Sequence, residues 1–125
     1  MNLLLDTHAL LWWLDDPGQL SEKARAAVAE GGNAVFVSAA AAWEIAIKKS
    51  LGRLDAPDDL QEVIVEERFQ PLPIGIPHAL AVVTLPPIHQ DPFDRIQIAQ
   101  AKLENLTLVT RDPFIHQYDL NLLEA

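Results

Sequence analysis

Short runs of apolar, β-forming residues recur along this chain. Each is followed by a segment with helical punctuation, and that alternation restricts the fold more than any other feature. Asn2-Leu3-Leu4-Leu5 ends at Asp6, and a helix is expected from about Thr7 to Leu14, stopped by the breaker cluster Asp15-Asp16-Pro17-Gly18. Ser21 is a candidate N-cap for a second helix that Gly31-Gly32 closes. Ala34-Val35-Phe36-Val37 reads as a second strand. A helix from about Ala39 to Leu51 follows, with Lys48 and Lys49 in its last turn and Gly52 just past it.

The second half continues the pattern. Asp58 begins a helical stretch ending near Phe69, and the prolines of Gln70-Pro71-Leu72-Pro73-Ile74 allow only a short or edge strand. Pro77 to Leu85 reads as a short helix, and Pro86 to Pro92 as a rigid loop. Phe93, Ile96, Ala99 and Leu103 form a helical stripe. Leu106 to Thr110 is the clearest later strand, and Leu120 to Leu123 reads as a last one. Strands alternating with helices argue for an α/β sandwich with a mainly parallel sheet. A chain of 125 residues forms one such domain, spanning 1–125.

Composition removes several classes of function. Half the residues are hydrophobic and 22% are charged, which is ordinary globular composition. There is no cysteine, hence no thiolate metal site, in keeping with a reducing cytoplasm. Asp6 and His8 interrupt the apolar start and no basic segment precedes it, so it reads as neither a signal peptide nor a membrane span. A net charge of −9 argues against a strong, non-specific phosphate binder. It leaves room for a nuclease whose acidic site is reversed in charge by metal. Neither a GxGxxG nor a P-loop pattern follows the first strand, which disfavours dinucleotide and Walker-type phosphate binding.

The acids carry the chemistry. Asp6, Asp94 and Asp112 each fall where an apolar segment meets a polar turn, and Glu44 interrupts the Ala-rich run from Ala39 to Ile47. In an open α/β sheet, ligands bind beyond the carboxyl ends of the strands, so these acids are expected to share a pocket there. Like charges about 4 Å apart repel by roughly 4 kcal/mol at an effective dielectric near 20. Such a cluster calls for bound protons or a hard cation such as Mg²⁺ or Mn²⁺. Each acid also has a structural explanation. Asp6 suits a cap for the helix at Thr7, and Glu44 suits an i,i+4 pair with Lys48. Asp91, Pro92 and Asp94 suit N-cap, N1 and N3 of one helix, and Asp112-Pro113 repeats that arrangement. Capping accounts for three of the acids and leaves Glu44 over. His8, His78, His89 and His116 lack zinc-motif spacing, so zinc is disfavoured. Arg95 and Arg111 adjoin the acids, where they would hold a substrate phosphate or pair with carboxylates.

Four segments in order resemble a known family: Leu4-Leu5-Asp6-Thr7-His8, Ala42-Trp43-Glu44-Ile45, Asp91-Pro92-Phe93-Asp94-Arg95 and Leu108-Val109-Thr110-Arg111-Asp112. Together they resemble PIN-domain proteins, and more specifically the VapC-type ribonuclease toxins of bacterial toxin–antitoxin pairs. The resemblance implies a three-layer α/β/α sandwich, an acidic site for Mg²⁺ or Mn²⁺, and metal-dependent cleavage of RNA. It places the family's acids on Asp6, Glu44, Asp94 and Asp112, with Asp91 as an extra acid. Its accessory polar residues fall on Thr7 or His8 and on Thr110. It further implies a cognate antitoxin as partner and a homodimer, with no membrane association. Hydrolysis of a phosphodiester needs an activated water, a neutralised phosphate and a stabilised leaving oxygen, and carboxylate-held cations supply all three. Two rivals stay open. One is a Mg²⁺-dependent phosphatase with Asp6 as nucleophile, although His8 stands where the haloacid-dehalogenase pattern wants an acid. The other is a non-catalytic PIN-like or receiver-like binding module.

Overall fold

Leu3, Leu4 and Leu5 are completely buried because the strand they form lies at the centre of a sheet covered on both faces. In the computed structural model, which describes all residues from Met1 to Ala125, the sheet holds five strands, all parallel. They are β1 (Asn2–Leu5), β2 (Ala34–Ser38), β3 (Gln70–Leu72), β4 (Thr107–Thr110) and β5 (Leu122–Glu124), in the order β3-β2-β1-β4-β5. Six α-helices connect and flank them: α1 (Thr7–Asp15), α2 (Glu22–Ala29), α3 (Ala39–Ser50), α4 (Leu60–Glu66), α5 (Ile76–Ala81) and α6 (Pro92–Leu103).

The period-2 alternation of a strand splits β1 between two cores. Leu3 and Leu5 pack with Ala9 and Leu10 of α1, Ala24 and Val28 of α2, and Ala41 and Ile45 of α3. Leu4 points the other way, to Leu108 and to Ile98, Ala99 and Ala101 of α6. The result is the three-layer α/β/α sandwich that the resemblance implied, built on the parallel sheet expected from the alternating pattern. No helix is long and apolar enough to cross a membrane.

Element ends follow local chemistry. The α3 helix ends with Gly52 at φ +69°, while Arg53 N–H reaches back to Lys48 O at 2.8 Å. The α6 helix ends the same way on Asn105 at φ +54°, with Leu106 N–H bonded to Ala101 O at 2.8 Å. Three expectations need correction. The helix after Asp58 covers only Leu60–Glu66, since Arg68 adopts a left-handed conformation and Phe69 turns into the core. The helix expected from Pro77 to Leu85 runs from Ile76 to Ala81 and then tightens into a 3₁₀ turn at Val82–Thr84. The last strand is shifted to Leu122–Glu124, in register with β4 at Leu108↔Leu122. The proline-bearing β3 lies at the sheet edge, where proline's missing N–H costs least.

Candidate active site

Sequence neighbours β1, β2 and β3 lie side by side, and the chain then crosses β1 to place β4 on its other flank. The order therefore reverses between β1 and β4, the kind of crevice where open parallel sheets bind ligands. Asp6 stands at that point. Its N–H bonds to Val109 O of β4 at 3.1 Å, and its Oδ1 accepts the Ala9 N–H at 2.8 Å. The cap and the site are the same side chain. Burial pushes the Asp6 carboxyl above its ordinary range and nearby Asp112 adds to the rise, while the Thr110 hydroxyl, the Ala9 N–H and His8 act against it.

Glu44 reaches the crevice from α3 and is 3% exposed. Two bonds hold it: Thr7 Oγ1 donates to Oε1 at 2.6 Å, and Lys48 Nζ donates to Oε2 at 2.6 Å. The helical pair anticipated from spacing is therefore present, and it serves to orient a buried acid. The Lys48 ammonium is pushed up by its bond to Glu44 and, further off, by the charges of Asp91 and Asp94. Gln97, on α6, donates from Nε2 to Thr7 Oγ1 at 3.3 Å, and its buried Oε1 has no partner.

Asp94 arrives on the first turn of α6. Asp91 caps that helix, its Oδ1 accepting from Phe93 N–H at 2.8 Å and Asp94 N–H at 3.1 Å. Burial first, then the charge of Asp91, pushes Asp94 up to about 7. Glu44 and Asp6 add to the rise and His89 opposes it. Asp112 follows β4 and bonds the Phe114 N–H at 2.8 Å, capping a turn that leads into the short 3₁₀ segment Ile115–Gln117. Its partial burial alone would raise it. Hydrogen bonds from His89 and from the Phe114 and Ile115 N–H groups outweigh that and hold it below the usual carboxylate range.

The residue that sequence reasoning missed is His89. Its Nε2 lies 3.0 Å from Asp94 Oδ2 and 2.8 Å from Asp112 Oδ2, and these three side chains form a group able to surround a metal ion. In the sequence it lies in a rigid loop and is one of four histidines that lack zinc-motif spacing. Its one signal is position: a proline-flanked loop that runs straight into the N-terminus of the Asp94 helix.

Arg95 directs its guanidinium to the carbonyls of Val82 (3.0 Å), Pro86 (3.1 Å) and His89 (3.1 Å), bracing the loop from within. Arg111 bonds the carbonyls of Gln19 and Ala125 and lies 4.3 Å over the Trp12 ring. Both guanidinium groups are thus engaged by backbone carbonyls, and neither is paired with a site carboxylate. His8 is exposed and tilts against Trp12, with ring centroids 5.9 Å apart. Thr7 and Thr110 both lie among the acids, Thr7 through Glu44 and Thr110 through Asp6 and the Asp112 N–H at 3.1 Å. Beside Glu44 and Asp94, Trp43 stands 60% exposed, edge-on to Phe93 at 5.1 Å.

Against this geometry, the model of the PIN domain family matches residues 3–120. The chain is a PIN domain. A comparison with curated proteins finds no match. Among solved structures, this PIN domain is similar to VapBC2 from Rickettsia felis bound to a DNA fragment from its promoter, at TM-score 0.72 and 14% identity, covering 98% of each chain. It is also similar to DNA-bound VapBC from Salmonella typhimurium, at TM-score 0.68 and 16% identity over 98% of this chain and 97% of the other. FitAcB from Neisseria gonorrhoeae matches at TM-score 0.62 and 21% identity, over 98% and 96%. At those identities the likeness is one of fold.

Proposed function

We propose that this PIN domain is a metal-dependent endoribonuclease, the toxin of a toxin–antitoxin pair, acting through Asp6, Glu44, Asp94 and Asp112. The observation that carries the reading is the convergence of separate chain segments at the β1/β4 crevice, with repulsion and burial lifting Asp94 to about 7. A scaffold gains nothing from burying like charges together. A cation site does, because the bound ion repays their repulsion.

The donor set fits Mg²⁺ or Mn²⁺: the converging groups are mostly hard carboxylate oxygens, and no thiolate is available. Asp6 and Asp94 would hold the ion as principal ligands, and Asp112 would complete a weaker second position. A bound ion supplies charge neutralisation at the phosphate, acidification of water and stabilisation of the leaving oxygen. Glu44, fixed by Thr7 and Lys48, orients the attacking water. Trp43 offers an exposed aromatic face on which an unpaired base can stack, a contact that costs an acidic protein no phosphate charge.

The partner reading draws on a solved structure of similar fold named as a toxin–antitoxin complex from Klebsiella pneumoniae, and on the charge of −9, which suits a basic or apolar antitoxin segment across the site. A homodimer acting in the cytoplasm completes it. The test is cleavage of structured RNA by purified protein free of antitoxin, with Mg²⁺, Mn²⁺ or EDTA, alongside folded Asp6→Asn and Asp94→Asn variants. Metal-dependent cuts lost in both variants are expected. A folded, metal-loaded wild type that cuts none of a broad RNA panel would overturn the nuclease reading.

A further inference from the structure

The ring of His89 touches Asp94 and Asp112 through one nitrogen, and two arrangements produce that picture. In the first, Nε2 is a bare ligand and the three atoms are corners around a cation. The distances permit this, since adjacent ligands of an octahedral ion with bonds near 2.1 Å lie about 3 Å apart. In the second, Nε2 carries a proton and donates it to the carboxylates.

The other ring nitrogen decides between them. Nδ1 accepts the backbone N–H of Asp91 at 3.1 Å, so it presents a lone pair. A neutral imidazole has one N–H, and the bond made at one nitrogen dictates the state of the other. The proton therefore belongs on Nε2, between the two acids. A ligating Nε2 would require the proton on Nδ1, facing the Asp91 N–H head-on and depriving a helix-entry donor of its acceptor. The ring has little freedom to turn. The His89 N–H donates to Tyr118 Oη at 2.8 Å, the His89 carbonyl accepts from Arg95 at 3.1 Å, and the ring packs on Phe114 at 5.6 Å.

We propose that His89 is a positioning residue: its Nε2–H bridges Asp94 and Asp112 and sets their separation for a hard divalent cation without itself ligating it. The proposal rests on the metal-nuclease reading above and assigns the site an all-oxygen inner shell. It also ranks the two acids. His89 Nε2 comes within 3.0 Å of one oxygen of Asp94, whereas Asp112 is hydrogen-bonded at both of its oxygens, by His89 and by the Phe114 N–H. Asp94 is thus the direct ligand, and Asp112 acts through water.

The experiment uses Mn²⁺ alone as probe, with binding titrations and pulsed electron paramagnetic resonance on the whole chain. Mn²⁺ should bind wild type, bind far more weakly to Asp6→Asn and Asp94→Asn, and show no ¹⁴N coupling of a directly bound imidazole. His89→Ala should weaken binding about 10- to 100-fold, the usual cost of removing a partner that orients ligands. His89→Gln, which keeps a side-chain N–H donor, should recover most of that loss. Directly bound imidazole nitrogen in wild type, absent in His89→Ala, would overturn the proposal and leave the metal-nuclease reading standing. Wild-type affinity in folded His89→Ala would do the same. If Mn²⁺ binds wild type, Asp6→Asn and Asp94→Asn alike, the metal-site reading fails and this proposal with it.

Discussion

Thr7 Oγ1 donates to Glu44 Oε1 at 2.6 Å, joining the first turn of α1 to the middle of α3 across 37 residues of sequence. Both side chains are buried, and Thr7 in turn accepts from Gln97 of α6. One hydroxyl therefore ties together three helices that meet at the carboxylates. Thr7→Val keeps the shape and removes the donor, leaving a buried carboxylate short of one bond. The expected cost is about 1–3 kcal/mol in urea unfolding. RNA cleavage should fall more than Mn²⁺ affinity, because Glu44 is the group that loses its orientation. Unchanged stability would mean the bond contributes nothing net.

Asp94→Asn should stabilise the metal-free protein at neutral and alkaline pH. In the unfolded chain this carboxyl ionises near 3.8, whereas in the folded protein it ionises only near 7. The native state thus holds the extra proton between those values, and stability declines as pH rises through that window. A shift of about three units corresponds to about 4 kcal/mol at most. Solvent screening of this partly exposed group reduces the expected gain at pH 8 to about 1–2 kcal/mol. At pH 4, near the ordinary value, the variant and wild type should converge. Paired denaturation curves at the two pH values check the sign.

Metal binding should carry the same proton. Below about 7 the ion must displace a proton from Asp94, so apparent Mn²⁺ affinity should drop up to about tenfold per pH unit on acidification. Above that value it should level off. Calorimetric titrations in buffers of different ionisation enthalpy would count the proton released. A flat profile from pH 5 to 8 would contradict this account of Asp94.

Arg95→Met and Arg111→Met should act on stability. Each guanidinium bonds backbone carbonyls from separate chain segments: Val82, Pro86 and His89 for Arg95, Gln19 and Ala125 for Arg111. Losing several such bonds should cost about 2–3 kcal/mol. For Arg111→Met the KM for RNA should stay near wild type once folding is corrected for. A rise in KM at unchanged melting temperature would instead identify a substrate contact.

Trp43→Ala should leave Mn²⁺ affinity intact and raise the KM for single-stranded RNA by about 5- to 100-fold, the range expected of one base–aromatic stack. Trp43→Phe should retain most of the binding. Light scattering on the same samples would separate this from a subunit contact, since a change of mass in Trp43→Ala would identify Trp43 as interface.

How much of this was legible beforehand depended on the range of the forces involved. The caps at Asp6, Ser21 and Asp91, the stop at Gly52 and the edge position of β3 follow from residues a few places apart. The Glu44–Lys48 pair was equally visible, as one helical turn separates its members. The strand pattern and the four short segments were enough to identify an α/β sandwich with acids at its strand ends. Sequence could not tell whether a capping acid was only a cap. Capping engages one oxygen of Asp6 and leaves the side chain at the crevice, so a cap there is compatible with the proposed role.

By itself, then, the sequence determined the alternation of elements, the α/β class, and the acids that end its strands, because helical period, strand alternation and turn chemistry are local. Only the tertiary structure decided which cations were free, which of four histidines met the acids, and how far Asp94 was pushed. Arg95 and Arg111 adjoin acids in sequence yet spend their charge on carbonyls elsewhere, while His89 has no spacing motif and meets Asp94 and Asp112 directly. Charges act through space and through the burial around them, and that distribution exists only once the sheet has brought β1, β4 and the start of α6 together.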